Sequence, residues 1–124
     1  LDASELNVAA LNRACRSVGT ECVMVFSRET ERPEVTVHAR MFAPLLGVPE
    51  DPATGSANGA LSAYLVHHRA VPLEAPTTRI VSEQGAEMGR PSTVYVEVER
   101  SDDGISKVRV GGKVVPVIEG TVRL

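Results

Sequence analysis

The stretch from about Gly55 to Arg69 is predicted to be a helix without a charged side chain before its last residue. From Ala57 to Val66 apolar residues go nearly all the way round it, and Asn58 and Ser62 are the only polar interruptions. A helix that is hydrophobic on all sides is normally buried. Its many Ala, Gly and Ser residues would let surrounding strands approach closely. We therefore expect this helix to be the centre of the domain.

Strand patterns lie on both sides of this helix. They are short apolar or alternating runs separated by turn sequences, at residues 22–26, 34–42, 80–84, 93–99, 107–110, 114–118 and 121–124. A first amphipathic helix, capped by Asp2 or Ser4, is expected to run to about Ser17 and to stop at Gly19. The pattern predicts one α+β domain over residues 1–124, whose mixed, mostly antiparallel curved sheet wraps around the central buried helix.

The residues just before the central helix combine an acid with a helix start. Asp51 precedes Pro52, which keeps the aspartate out of the helical region. Thr54 and Gly55 suit a turn and an N-cap, and from Ser56 onward the sequence is helical in pattern. The first N–H groups of a helix have no intrahelical acceptor, so a carboxylate or phosphate is a natural ligand beside them. An acid, a hydroxyl and an anion site are expected to lie together.

Composition and charge exclude several classes of protein. The 13 basic and 16 acidic side chains give a net charge of −3, and only 3% of residues are aromatic, so nucleic-acid binding is not expected. No cluster of His, Cys or carboxylates has metal-ligand spacing, and Cys15 and Cys22 are expected to be reduced structural residues. No signal peptide or bilayer-length apolar run is present, so we expect a cytoplasmic protein without membrane association.

Several motifs follow one another along the chain. The first contains Arg40, Phe42, Pro44 and Gly47, and EDPATGSA follows at residues 50–57. The later ones are, in chain order, Leu61 with Tyr64 and Leu65, QGxxMGRPS at 84–92, VGG at 110–112, and Glu119-Gly120. These motifs resemble the PhzF-like phenazine-biosynthesis family. The resemblance implies a diaminopimelate epimerase-like fold of two similar halves with the active site between them, and this sequence is similar to the C-terminal half.

The same resemblance implies a function and a set of site residues. Family members are isomerases or epimerases that need no cofactor and move a proton on a small carboxylate-bearing substrate. Asp51 corresponds to the family's active-site aspartate, and Ser56 to a serine that stands where related racemases have a cysteine. The backbone N–H groups of Gly55, Ser56 and Ala57 would bind the substrate carboxylate. Because serine alone is a poor base, Ser56 is expected to bind or relay.

The family's principal acid/base glutamate belongs to its N-terminal half, and no residue here corresponds to it. Residues 1–124 are therefore not expected to be active alone, and the N-terminal half or a second chain, with a homodimer as one form, would complete the cleft. The alternative is a non-catalytic domain that binds a small anion or a partner chain through the same helix end. His38, on a strand, is open to a packed, solvated or cleft position, and Gln84 is expected in a turn.

Overall fold

A computed structural model describes residues 6–123 of the chain. Two helices and six strands follow in the order α1 (Val8–Val18), β1 (Val23–Ser27), β2 (Val37–Ala43), β3 (Val48–Asp51), α2 (Gly55–His67), β4 (Thr77–Gln84), β5 (Ser92–Ser101) and β6 (Gly104–Gly111). Single 3-10 turns at Pro44–Leu46 and Ala86–Met88 follow β2 and β4.

The strands form one open sheet in the order β1-β2-β4-β5-β6, with β3 attached to β2. Every pair is antiparallel except β2 with β4, which is parallel because the α2 crossover lies between them in the chain. The predicted mixed, mostly antiparallel α+β architecture is confirmed. The clearest strand pattern is also confirmed, since Val94, Val96 and Val98 of β5 are all buried.

Strand β2 brings two distant segments together. It pairs with β1 over residues 38–42, so β3 and β4 share its other edge. β4 runs parallel to β2 and ends with Gln84 opposite Ala39, whereas β3 runs antiparallel and ends with Asp51 opposite Met41. The last residues of β3 and β4 therefore meet end to end beside the start of α2.

Helix α2 packs on the sheet through one face. Leu61, Leu65 and Val66 join the main hydrophobic core together with inward valines of β2 and β5. The opposite face, which includes Ala60 and Tyr64, is exposed. The sheet thus covers one side of the central helix, and the prediction that it is buried on all sides is wrong for this face, because the sheet stays open between β1 and β6.

The first helix starts later than its sequence pattern predicts. Its N-cap is Asn7, whose side chain accepts a hydrogen bond from the N–H of Ala10 at 3.0 Å. The predicted caps, Asp2 and Ser4, lie outside the described residues. The predicted stop is confirmed, since Gly19 adopts a left-handed conformation with φ of 70° as the C-cap.

Two strand predictions after β6 are wrong. Residues 112–123 carry no secondary structure, and Val114, Val117 and Ile118 have 86%, 83% and 93% of their surface exposed. Pro116 removes a backbone donor from the middle of this segment. An apolar run becomes a strand only where a sheet edge pairs with it, and this segment is unpaired in the described part of the chain.

Candidate functional site

The candidate site is the turn that joins β3 to α2. Asp51 ends β3, Thr54 is the N-cap of α2, and the helical ladder begins with the N–H of Asn58 donating to the Thr54 carbonyl at 3.1 Å. The N–H groups of Gly55, Ser56 and Ala57 precede that first bond. They therefore form the positive end of the helix dipole immediately after the aspartate.

The side chain of Thr54 orients the aspartate. Its hydroxyl donates a short hydrogen bond to Oδ2 of Asp51 and makes no capping bond to the helix. Thr54 is extended, with φ of −103° and ψ of 99°, which is the usual N-cap conformation. An N-cap hydroxyl used in this way leaves the first N–H groups of α2 open to another acceptor.

The Gln84 side chain hydrogen-bonds to both ends of this turn. Its Nε2 donates to the Asp51 carbonyl at 2.6 Å and to the Thr54 hydroxyl at 3.1 Å. Its Oε1 accepts from the Thr54 N–H at 3.2 Å and from Nδ2 of Asn58 at 2.9 Å. With 1% of its surface exposed, this one amide satisfies polar groups at both ends of the turn.

Gly85 lets the backbone after Gln84 lie directly against the turn. A Cβ at this position would stand 2.8 Å from the Pro52 carbonyl oxygen and 2.5 Å from that of Arg90. Its φ of +83° also favours glycine. The segments carrying Asp51 and Gln84 are therefore in close backbone contact as well as hydrogen-bonded.

Two hollows border the start of α2. A polar cavity of about 600 Å³ is bordered by Ala53 and Gly55 and includes the cationic side chains of Arg32 and Lys113. An apolar groove of about 550 Å³ is lined by Ser56 and Ala57 together with Cys22, Met24, Phe26, Met41, Ala60, Leu61 and Tyr64. Ser56 itself is exposed, and no residue in the range 6–123 hydrogen-bonds to its hydroxyl.

A charged cluster, defined as His38, Arg40, Glu50, Glu83 and Glu87, lies along β2 beside the site. The imidazole Nδ1 of His38 is 3.0 Å from Oε1 of Glu83, and its Nε2 is 2.7 Å from Oε1 of Glu87. Arg40 forms a bidentate pair with Glu50 at 2.9 and 3.0 Å, and its Nε is 3.8 Å from Glu87. The cluster anchors the residues next to Asp51 and Gln84.

The cluster changes the titration of two of its members. Burial opposes a charged His38, but hydrogen bonds and charges from Glu87 and Glu83 outweigh it and raise the pKa above the ordinary 6.5. Burial likewise opposes a charged Glu87, but the hydrogen bond from His38, with the charges of His38 and Arg40, lowers its pKa below the ordinary 4.5. Both groups therefore favour their charged forms.

The structure brings Asp51, Gly55, Ser56 and Ala57 together, as their closeness in sequence requires. It also adds Gln84, the buried last residue of β4. This position agrees with the predicted strand over residues 80–84, and the prediction of a turn at Gln84 itself is wrong. Two features of the sequence indicate a structural role for Gln84. Its side-chain amide has donors and acceptors for several backbone groups, and it stands directly before a glycine.

The histidines take different positions. His38 is packed within the charged cluster, whereas His67 and His68 are exposed at the far end of α2, where His68 lies 4.4 Å from the Tyr64 ring. Within residues 6–123, no three His, Cys, Asp or Glu side chains are arranged to hold a metal ion. Neither described helix is long and apolar enough to cross a membrane.

Comparison with known proteins gives consistent matches over most of the chain. The family model of phenazine biosynthesis-like proteins (PhzC-PhzF) matches residues 2–120. An uncharacterized isomerase of Clostridium acetobutylicum is 33% identical over 118 residues, which cover 95% of this chain and 39% of that protein. The trans-2,3-dihydro-3-hydroxyanthranilate isomerase of Pseudomonas aeruginosa is 42% identical over 86 residues, which cover 69% of this chain and 30% of that protein.

A solved structure shares the fold. The crystal structure of a Bacillus anthracis phenazine biosynthesis protein of the PhzF family superposes with a TM-score of 0.69 at 21% identity, over 86% of this chain and 40% of that one. The chain thus spans about two fifths or less of the proteins it matches.

Proposed function

This chain belongs to the phenazine biosynthesis-like protein family, and on that premise we propose that it forms one wall of a cofactor-independent isomerase or epimerase. The reaction would move a proton at a carbon of a small carboxylate-bearing substrate. Asp51 would act as an acid/base group, and Ser56 would bind the substrate or relay the proton. The N–H groups of Gly55, Ser56 and Ala57 would bind the substrate carboxylate.

The arrangement of one acid beside one open helix start carries this proposal. The Thr54 hydroxyl holds the Asp51 carboxylate at the residue where β3 ends. The first N–H groups of α2, which receive no cap from the Thr54 side chain, begin four residues later. Proton transfer at carbon needs a positioned acid or base and oriented dipoles that stabilise the developing negative charge. Both are present within one turn.

Charge around the polar cavity favours an anionic substrate. Arg32 and Lys113 border the same cavity as Gly55, so two cationic groups and a helix N-terminus face one space. Substrates of this chemistry include trans-2,3-dihydro-3-hydroxyanthranilate, which the Pseudomonas aeruginosa relative is named for. That compound, as a carboxylate, is the first candidate to test.

A proton that is removed from one face of the substrate and returned to the other needs a second acid/base group on the opposite side. In the family resemblance this group lies in the N-terminal half, and the chain spans only 39% of its Clostridium relative. We propose that an N-terminal half or a second chain supplies this opposing wall. The exposed apolar face of α2 supports the proposal, because large apolar patches are rarely left uncovered.

The test is hydrogen–deuterium exchange at the substrate carbon in D₂O, with the chain joined to an N-terminal half from a relative. Trans-2,3-dihydro-3-hydroxyanthranilate serves as the probe. Asp51→Asn and Ser56→Ala are each expected to slow exchange by about 10²-fold or more, because each removes a group in direct contact with the reacting proton or substrate. Asp102→Asn, in the exposed β5–β6 turn, is the matched control and should leave the rate unchanged.

Exchange that survives both site variants would contradict the site assignment. Absence of exchange with retained carboxylate binding would instead favour the alternative, a non-catalytic domain that binds a small anion through the same helix end. Isothermal titration with the same probe separates these outcomes.

A further inference from the structure

His38 lies between two carboxylates, and the geometry restricts its protonation. Both ring nitrogens are within hydrogen-bond distance of a glutamate oxygen, at 3.0 Å for Glu83 and 2.7 Å for Glu87. An ionised carboxylate only accepts hydrogen bonds, and a neutral imidazole has a single N–H to donate. Two such contacts are satisfied together only when the imidazole carries both protons.

Cationic groups and a backbone N–H surround the two glutamates. Arg40 stands 3.8 Å from Oε1 of Glu87, while the N–H of Glu31 donates to Glu83 at 2.8 Å and Arg32 lies 3.7 Å from it. The side chains of His38, Glu83 and Glu87 each have 9% or less of their surface exposed. Within residues 6–123, the titratable and charged groups that face His38 or its two partners are Glu31, Arg32, Arg40, Glu83 and Glu87. Glu34 and Glu50 face them indirectly, because they pair with Arg32 and Arg40.

The two glutamates flank the residue that holds the candidate site. Gln84 stands directly after Glu83, and Gly85 follows it in backbone contact with Pro52. The turn that carries Glu87 is bounded by Gly85 and Gly89, both in the left-handed conformation. The imidazole therefore fixes both ends of the segment 83–87, and Gln84 lies within that segment.

We propose that the doubly protonated His38 is a positioning residue, which holds Gln84 and through it the Asp51–Thr54 turn. When His38 loses one proton, one ring nitrogen presents a lone pair to a carboxylate. That contact changes from attraction to repulsion, and the segment 83–87 is released on one side. The hydrogen bonds from Gln84 to Asp51 and Thr54 then weaken in the same pH range.

The sign of the effect follows from the direction of the shift. The pKa of His38 in the fold is raised above 6.5. The stabilisation that the charged imidazole gives to the folded state is therefore complete below pH 6.5 and is lost as the pH rises through the higher pKa. The site is thus held most firmly on the acidic side of that transition, while Glu87 remains ionised.

The experiment is an NMR titration of the chain from about pH 5.5 to 9, the range in which histidine changes charge. The His38 ring should titrate with a midpoint above 6.5, and the Gln84 side-chain amide and Thr54 backbone amide signals should move with the same midpoint. His38→Gln, neutral throughout, should abolish that movement. His67→Gln, an exposed histidine on α2, is the matched control and should leave it unchanged.

Glu87→Gln provides a second variant in case the first does not fold. Removing one carboxylate should lower the His38 midpoint by about one pH unit, and the Gln84 and Thr54 signals should follow it. The proposal is overturned if the Gln84 and Thr54 signals do not shift with the His38 midpoint, or if they titrate unchanged in His38→Gln. The proposal rests on the proposed function only in naming Asp51 as the positioned group, and because the titration needs no substrate, its outcome is independent of the exchange assay.

Discussion

At the scale of single residues, the Gln84 side chain makes hydrogen bonds that no backbone group can replace. Its amide bonds to the Asp51 carbonyl and to the N–H and hydroxyl of Thr54, and it also accepts from Asn58. The Asp51 and Thr54 groups lie at or just after the end of β3, where the ladder with β2 stops. A buried polar group that loses its partner costs roughly 1–3 kcal/mol of folding free energy. Loss of this side chain would leave more than one such group without its bond.

Gln84→Leu, which keeps a similar volume but makes no hydrogen bonds, is expected to lower the free energy of unfolding by about 3 kcal/mol. The Asp51 carbonyl and the Thr54 N–H are the groups left without their bonds. Urea denaturation followed by circular dichroism measures the change. Ser106→Ala removes an exposed hydroxyl that donates to the Glu99 carbonyl, and it should change stability by no more than about 0.5 kcal/mol. Equal effects of the two substitutions would contradict the role of Gln84.

At the scale of elements, sequence patterns predict a helix or strand wherever its signals lie within a few consecutive residues. Strand β5 follows from the alternation of Val94, Val96 and Val98, and α2 begins at Gly55 as predicted, because an N-cap and an apolar helical run are local signals. Strand β3 has no such signal, since its four residues are Val-Pro-Glu-Asp and it exists only through pairing with β2.

The candidate site divides in the same way. Asp51 and Ser56 lie in one continuous motif, so their proximity to the helix start follows from the sequence alone. Gln84 and His38 approach the site through the long-range pairing of β2 with β3 and β4, which no local pattern reports. For this reason the sequence predicts the candidate reacting groups better than the residues that hold them.

The contact between β4 and the site turn should be sensitive to a single methyl group. Gly85→Ala must accommodate a Cβ against the carbonyl oxygens of Pro52 and Arg90, in addition to a positive φ, and should destabilise the fold by about 3 kcal/mol. Gly89→Ala is a matched control, because its φ is +67° but nothing lies within 4 Å of an added Cβ. We expect it to cost only about 1 kcal/mol. Thermal unfolding of the two variants measures the difference, and similar melting temperatures would show that the close contact is absent.

At the scale of the whole molecule, nothing within residues 6–123 covers the apolar groove on one side of the domain. The apolar groove beside α2 combines Met24 and Phe26 of β1 with Ala60 and Tyr64 of the helix, and its volume is about 550 Å³. In the proposed enzyme this side would meet an opposing half or a second chain. When the chain is alone, another copy presents the same apolar surface.

We therefore expect the chain by itself to self-associate through this groove. Ala60→Glu places a carboxylate on the exposed face of α2, and burying it without a partner should weaken association by at least about tenfold. Sedimentation velocity over a range of concentrations measures this, with Ala14→Glu on the exposed side of α1 as the matched control. A wild-type chain that remains monomeric at every concentration would contradict self-association, and the groove would then be expected to require the opposing half. That outcome would also make the joined two-half protein the form in which Asp51 and Ser56 should be assayed.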